Sequence, residues 1–336
     1  MKKLLAGLAL AALLLSRPAA AANAARDALN QWYAVVAPAL FPFMALLPLL
    51  TSPESLHYYE ALLGGFTRRV LRLPGSAASA MAVGLLAGSP AGCMAARRVS
   101  GGMTRNQLER LAAACCGLSP AFLISGVGAG LLGDPGAGLL LLRSQIAAQL
   151  TLLTLPVPGP DRPLPPMELS GEDRGPLGGA VRGVLNVAGY MALFAALAGA
   201  LGQWAGPQVG RWALCLMDVT GGARVLCAAR LDAAVRLPLL SALIGFGGGC
   251  IAAQNLSALR NTGVRAPRFL ARRARAAALS ALFTRLQWLC GSRPLLNFTP
   301  DMLKTACLCA ALLTFPGIIR GIKHSFNNEA DGEIEG

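Results

Sequence analysis

The sequence has few charged side chains, few aromatic residues and hardly any histidine. Only 14% of its 336 residues are charged, whereas about a quarter are charged in an average soluble domain. The two histidines, His57 and His324, lie far apart along the chain. Because no paired His/carboxylate set, nucleophile motif, phosphate loop or metal-ligand cluster is present, we expect neither enzymatic activity nor a cofactor or metal.

The nine cysteines form no C-x-x-C pair, and most of them lie inside apolar stretches. A disulfide framework or a zinc site needs cysteines at regular, usable spacings. We therefore interpret these thiols as small apolar side chains within helices.

Long apolar runs dominate what is present. Hydrophobic residues make up 54% of the chain, and Leu, Ala and Gly are concentrated in runs of the length that membrane helices need. The net charge of +14 comes from arginines in short stretches beside these runs, with few aromatic residues between them. This pattern is typical of loops flanking membrane spans, so we predict a lipid bilayer as surroundings and no nucleic-acid partner.

The chain divides into five predicted segments. Residues 1–24 carry Lys2 and Lys3 before an apolar run and are predicted to form a signal anchor or first span, with a cleaved signal peptide as the alternative. Residues 25–155 and 179–322 form two repeats, and a linker rich in Pro, Gly and acid joins them at 156–178. The polar tail 323–336 is predicted to be disordered.

Several apolar segments carry residues that interrupt helices. Three prolines in Gln31–Leu50 predict a kinked or partly unwound span. Ser52-Pro53 is typical of the start of a helix, and the basic amphipathic pattern that follows favours a position on the membrane surface. Cys115–Gly133 is predicted to be irregular, Gly136–Leu155 regular, and Asp301–Ile319 the closing span.

Two short motifs recur at nearly the same spacing, which indicates an internal duplication. Ala28-Leu29-Asn30 is echoed by Val184-Leu185-Asn186, and the segment around Cys93 is echoed by the segment around Cys250. We therefore predict an all-α, polytopic membrane protein whose two repeats contain broken or re-entrant helices and amphipathic surface helices.

The matched breaks are the predicted solute-binding site. Unpaired backbone is tolerated in a membrane only inside protein or beside a water-filled cavity, and matching breaks in two halves point to a transporter's site. In the first break Ser89 is expected to cap a helix that begins at Pro90, so that the N–H groups of Gly92 and Cys93 face a small anionic solute. In the second, three glycines precede a helix that carries two amides: Gly247, Gly248, Gly249, Gln254 and Asn255. The alternative is that these glycines only allow close helix packing.

Weaker candidates lie near other interruptions. Ser119-Pro120 forms a third break, while Asp218 and Thr220 end an apolar run with polar groups. Arg143 lies within a predicted span, where a charge is a functional hypothesis, although it could also extend to the membrane surface. The stripe Arg265, Arg268, Arg272 and Arg275 is interpreted as a solvated or headgroup-facing surface.

A series of motifs resembles the sporulation integral membrane protein family of the YlbJ type. In the first half the series comprises Val36–Phe43, Gly88–Gly92 and Cys116–Gly128, and in the second Met217–Gly222 and Phe246–Gln254. The resemblance implies paired Gate (nucleoside-recognition) domains, a place in the outer forespore membrane on the mother-cell side, and transport of dipicolinic acid. The alternatives are a sporulation scaffold that transports nothing and a nucleoside-type carrier. The partners we expect include a second copy of the chain or other sporulation membrane proteins.

Overall fold

The computed structural model describes residues 1–155, 163–164 and 176–290, and regular secondary structure in these residues is helical. The all-α prediction is confirmed for this part of the chain. The predicted closing span, the tail and most of the linker lie outside the described residues. The helices are α1 Lys2–Ser16, α2 Pro18–Gln31, the π-helix π1 Trp32–Val36, α3 Ala37–Leu50, α4 Pro53–Arg69, α5 Ala77–Leu86, α6 Ala91–Arg98, α7 Arg105–Ala114, the π-helix π2 Phe122–Leu132, α8 Pro135–Thr154, α9 Pro176–Ala205, α10 Pro207–Met217, α11 Val219–Ala228, α12 Ala233–Phe246, α13 Gly248–Ala258 and α14 Ala266–Leu289.

Four helical stretches of the described chain are long and apolar enough to cross a bilayer: Pro18–Leu50, Pro135–Thr154, Leu177–Ala205 and Ala233–Ala258. The first stretch joins α2, π1 and α3, and the last joins α12 and α13 across Gly247. In a bilayer about 30 Å thick, roughly 20 residues of α-helix suffice to span the apolar core.

The proline-rich first span is continuous, so the partly unwound form that the sequence allows is not adopted. Pro38 lacks an N–H donor and its ring crowds the carbonyl of residue 34. That residue lies within the π-helix π1, whose wider turn is a known means of accommodating such a disturbance.

Helix α4 begins as predicted and exposes an apolar face. The Ser52 hydroxyl accepts a hydrogen bond from the Ser55 N–H at 3.3 Å, and Pro53 occupies the first turn. Leu62 is 62% exposed and Val70 is 54% exposed. An exposed apolar face beside basic residues is what a helix on a membrane surface requires.

Helix α7 begins with a capping box between Thr104 and Gln107. Its residues Leu108, Leu111 and even Glu109 are fully buried. The helix therefore lies inside the protein and contacts α5, α6, α8 and α14.

Both predicted breaks are present, and they fall at matching distances. Helix α5 begins at Ala77 and α12 at Ala233, 156 residues later. Helix α6 begins at Ala91 and α13 at Gly248, 157 residues later. The spacing agrees with the sequence echoes, while the duplication itself stays a prediction.

The interpretation of the arginine stripe as a solvated surface is wrong for one of its members. Arg265 and Arg275 are exposed, but Arg272 is only 3% exposed and its Nη1 reaches the Leu152 carbonyl at 3.5 Å. The reason is that α14 packs against α8 and α12 rather than lying on the surface.

Candidate functional site

The first break packs against the third break. Gly88 has φ +73°, and a Cβ placed on it would lie 2.7 Å from the Ser119 backbone nitrogen. The Ser89 N–H donates to the Gly117 carbonyl at 2.7 Å. The two non-helical segments, 87–90 and 115–119, therefore satisfy part of each other's backbone, as buried polar groups must.

The prediction that Ser89 caps a helix and leaves Gly92 N–H free is wrong. Helix α6 begins at Ala91 after Pro90, with no side-chain cap. The Ser89 hydroxyl accepts a hydrogen bond from Asn255 instead, and the Gly92 N–H donates to the Gly88 carbonyl at 2.9 Å. Because the Ser89 hydroxyl is hydrogen-bonded to Asn255 on α13, it does not cap α6.

A side-chain amide fixes the third break. Gln145 Nε2 donates to the Leu118 carbonyl at 2.9 Å, and Gln145 Oε1 accepts from the Leu118 N–H at 2.9 Å. Both backbone groups of a non-helical residue are thus paired by one side chain of α8. This reciprocal pairing keeps the segment before π2 in place.

The second break packs against the joint between α10 and α11. Gly247 and Gly248 have φ +86° and +75°, and a Cβ on Gly248 would lie 3.1 Å from the Met217 carbonyl oxygen. At that joint Asp218 caps α11, because its Oδ2 accepts the Gly221 N–H at 2.6 Å.

One residue links the two breaks. Asn255 Nδ2 donates to the Ser89 hydroxyl at 2.6 Å and to Cys116 Sγ at 2.8 Å. Asn255 is fully buried on α13. Helix α13 is thereby hydrogen-bonded to both non-helical segments, 87–90 and 115–119.

A buried arginine joins two helix ends behind these breaks. Arg273 Nε donates to the Phe246 carbonyl at 3.1 Å, and its Nη1 donates to the Ala113 carbonyl at 3.0 Å. Phe246 ends α12 and Ala113 lies in the last turn of α7. Carbonyls at helix C-termini carry partial negative charge, so a cation there is stabilising.

The sequence prediction missed Arg273, although a signal was present. Phe269, Arg273 and Ala276 are spaced at four and three residues, so they share one helix face, and all three are buried. An arginine in register with an apolar stripe indicates a buried cation with fixed partners.

An inner cavity of about 380 Å³ lies between the breaks. Helices π2 and α11 begin at lining residues, Phe122 and Val219, and α6 and α13 begin within two residues of the lining residues Ser89 and Cys250. Its walls combine hydroxyls, one carboxyl and one amide with a larger apolar surface. The lining residues include Ser89, Leu118, Ser119, Phe122, Ser125, Met191, Asp218, Thr220, Ile251 and Gln254.

The predicted site residues divide into two groups. Five of them line the inner cavity: Ser89, Ser119, Asp218, Thr220 and Gln254. The others do not line it, and most have packing or hydrogen-bonding contacts instead: Gly92, Cys93, Gly247, Gly248, Gly249 and Asn255. Pro90 lines a neighbouring cavity, and Arg143 lies half-buried on α8 away from both.

Glycine packing, the alternative from the sequence, describes several of the second group well. A Cβ on Gly92 would lie 2.3 Å from the Cys115 carbonyl oxygen, and one on Gly249 would lie 3.0 Å from the Phe194 ring. These glycines permit close approach of neighbouring elements, which positions the residues that do line the cavity.

The charge around the inner cavity comes from one side chain and several helix starts. Among the described residues that line it, Asp218 is the only ionisable acid or base apart from the thiol of Cys250. A helix N-terminus carries roughly half a positive charge. The partial positive charges of these four helix starts together exceed the single negative charge of the Asp218 carboxylate. That carboxylate is itself directed at the start of α11.

The helices and the internal cavity define a polytopic integral membrane protein. The chain is similar to the sporulation integral membrane protein YlbJ of Bacillus subtilis (strain 168), with 25% identity over 327 residues that cover 83% of this chain and 80% of that protein. This similarity confirms the resemblance to the YlbJ type that the motif series predicts. No family model and no solved structure matches the chain.

Proposed function

We propose that this protein is a transporter that moves dipicolinic acid, a small aromatic dicarboxylate, across the outer forespore membrane during sporulation. The observation that carries the proposal is the inner cavity of about 380 Å³, around which four helices begin. Similarity to a sporulation membrane protein supports the cellular setting.

Helix starts suit an anion because the positive ends of their dipoles favour negative charge. Transporters use broken helices in this way near the middle of the membrane. The Ser119 hydroxyl and the Gln254 amide can donate to carboxylate oxygens, while Leu118, Phe122 and Met191 can pack against an aromatic ring. A planar dianion therefore finds both chemistries in one cavity.

The volume is compatible with a single small solute. Pockets for small molecules fall at roughly 300–1,000 Å³ and are mostly apolar with a few placed polar groups. The inner cavity meets both criteria. A scaffold protein would need neither the cavity nor the breaks.

The test is uptake of radiolabelled dipicolinate into liposomes that contain the purified protein. Ala121 lines the cavity and is exposed, so an Ala121→Trp variant is expected to fill it and to lower uptake at least tenfold. Ala129 is exposed on π2, which begins directly after Ala121, and it does not line the cavity, so Ala129→Trp is the matched control. Wild-type uptake no greater than that of empty liposomes would refute the proposal.

A second candidate, a nucleoside-type solute, is favoured by Asp218 and Gln254. A carboxyl and an amide in one cavity can bind ribose hydroxyls and base edges. Uptake of labelled uridine and adenosine in the same liposomes separates the candidates. Nucleoside uptake that excess dipicolinate does not inhibit would favour this alternative.

A further inference from the structure

A second cavity of about 250 Å³ lies beside the inner cavity and is rich in arginine. We call it the arginine vestibule. It lies between α6, the first half of α9 and the end of α13. Its lining residues include Arg97, Arg98, Arg182, Asn186, Tyr190 and Gln254, and none of the described residues that line it is acidic.

The vestibule and the inner cavity share two lining residues, Val187 and Gln254. Pro90 lines the vestibule while its neighbour Ser89 lines the inner cavity. The wall between the two spaces is therefore formed by the side chains of Val187 and Gln254 with the first break beside them. The Gln254 amide is held at 3.1 Å from Cys250 Sγ.

Among the described residues that line the vestibule, positive charge exceeds negative charge even when helix dipoles are included. Helices α6 and α13 end near it, at Arg98 and Ala258, and each C-terminus carries roughly half a negative charge. Three guanidinium groups therefore outweigh the two helix ends by about two unit charges.

Two helices supply the donors of the vestibule. Arg182, Asn186 and Tyr190 are spaced four residues apart, so they lie on one face of α9. Arg97 and Arg98 at the end of α6 line the same cavity. A guanidinium has five N–H donors, so Arg98 and Arg182 can bind an anion while they also contact protein groups.

We propose that the arginine vestibule is a second anion-binding site, which accepts a small dicarboxylate before or after it occupies the inner cavity. Val187 and Gln254 form the constriction between the two positions. This inference rests on the proposed function, since it describes the route of the same solute. Guanidinium groups bind carboxylates through paired, charge-assisted hydrogen bonds, which the inner cavity cannot provide.

The first test measures transport by variants that lose charge. Arg97→Gln and Arg182→Gln are each expected to raise the KM for dipicolinate about five- to tenfold in liposomes, since a lost charge interaction of about 1 kcal/mol or more changes affinity by that order. Arg97→Lys keeps the charge and is expected to stay nearer to wild type. Arg69→Gln, an exposed site on α4, is the control for loss of charge alone.

The second test measures binding without transport. Equilibrium binding of labelled dipicolinate to detergent-solubilised protein is expected to weaken at least tenfold in the double variant Arg97→Gln/Arg182→Gln. Higher salt is expected to weaken binding to the wild type more than to this variant, because ionic strength screens exposed charges. Thermal unfolding of each variant establishes that it is folded.

The outcomes of the two tests separate the inferences. If the wild type takes up dipicolinate and the arginine variants have the same KM as Arg69→Gln, the vestibule proposal is refuted and the transporter proposal is supported. Arginine-dependent binding without any uptake would support the vestibule and refute transport. Binding that neither the double substitution nor salt changes would also overturn the vestibule.

Substitutions of Gln254 test whether the solute passes the constriction. Gln254→Glu introduces a negative charge of nearly the same shape between the two spaces. We expect the maximal rate of dipicolinate uptake to fall at least tenfold. Gln254→Met, which is uncharged, is expected to lose less. Equal rates in both variants and wild type would show that solute does not pass this residue.

Discussion

The non-helical backbone at the two breaks is stabilised in different ways. The first break pairs with a neighbouring non-helical segment, and its backbone donates directly to Gly117. The second uses two consecutive glycines with positive φ and a buried arginine that binds the carbonyl at the end of α12. The first break thus depends on backbone pairing, whereas the second depends on glycine conformation and one cation.

The two breaks also differ in the charge that they place beside the inner cavity. The first break and its partner segment offer the hydroxyls of Ser89 and Ser119 to the inner cavity, while the second break and its partner joint offer Asp218. The two breaks therefore place different chemical groups at the inner cavity. We expect the substitutions below to act unequally on the two breaks.

The largest loss of stability is expected for Arg273→Met. The change leaves two buried carbonyls, those of Phe246 and Ala113, without their donor. Each lost bond to a charged group is worth about 1.5–3 kcal/mol, so the total is about 4 kcal/mol. Thermal unfolding in detergent measures it, and Arg275→Met at an exposed site of the same helix is the control. Equal midpoints for the two variants would contradict a structural role for Arg273.

Gly88→Ala is expected to be the next most damaging change. The new Cβ would meet the Ser119 nitrogen at 2.7 Å and the Gly117 oxygen at 2.9 Å, and positive φ costs a further 1–2 kcal/mol or so. Because both contacts are backbone atoms, we expect about 3 kcal/mol of destabilisation by thermal unfolding.

Gly248→Ala is expected to cost less, about 2 kcal/mol, because its nearest contact is 3.1 Å at a similar φ. Gly102→Ala isolates the conformational cost, since Gly102 has φ +74° and no atom within 4 Å of the new Cβ. The order Gly88, Gly248, Gly102 is the prediction. A reversal of the first two would mean that the second break is the more tightly packed.

The link between the breaks is expected to contribute about 1 kcal/mol. A double-mutant cycle of Ser89→Ala and Asn255→Ala measures the coupling between the hydroxyl and the amide, which lie 2.6 Å apart. Additive losses would mean that each residue acts on its own break alone.

The smallest effect on stability is expected for Asp218→Asn, since asparagine also caps helices and the change should cost less than about 0.5 kcal/mol. Its effect on solute choice is expected to be larger. Removing the carboxylate should lower the KM for dipicolinate and raise that for any nucleoside, as measured by uptake in liposomes. The opposite pattern would show that Asp218 neither repels the dianion nor binds a nucleoside.

Much of this arrangement could be predicted from the sequence because helix-breaking residues act locally. Gly88, Pro90 and Gly247 disturb a helix wherever they occur, so both breaks were found within a few residues. The start of α4 at Ser52-Pro53 follows from the same local chemistry.

Features that depend on tertiary packing could not be predicted from the sequence. Whether Ser89 caps α6 or accepts from Asn255 depends on a residue 166 positions away. The burial of Arg272 and Arg273 depends on where α14 packs. The sequence pattern of a basic stripe does not show whether the stripe faces lipid headgroups or helix ends. Only the register of Arg273 with Phe269 on one helix face indicated that Arg273 is buried.

The pairing of Gln145 with Leu118 has a consequence for how this cavity can vary. Both hydrogen bonds involve main-chain atoms of Leu118, so any residue except proline at that position can be held in the same place. The side chain of Leu118 is therefore free to change while the fold around it persists. Since that side chain lines the cavity, position 118 is where solute preference could diverge among related proteins at little cost to stability, whereas position 145 is restricted to an amide.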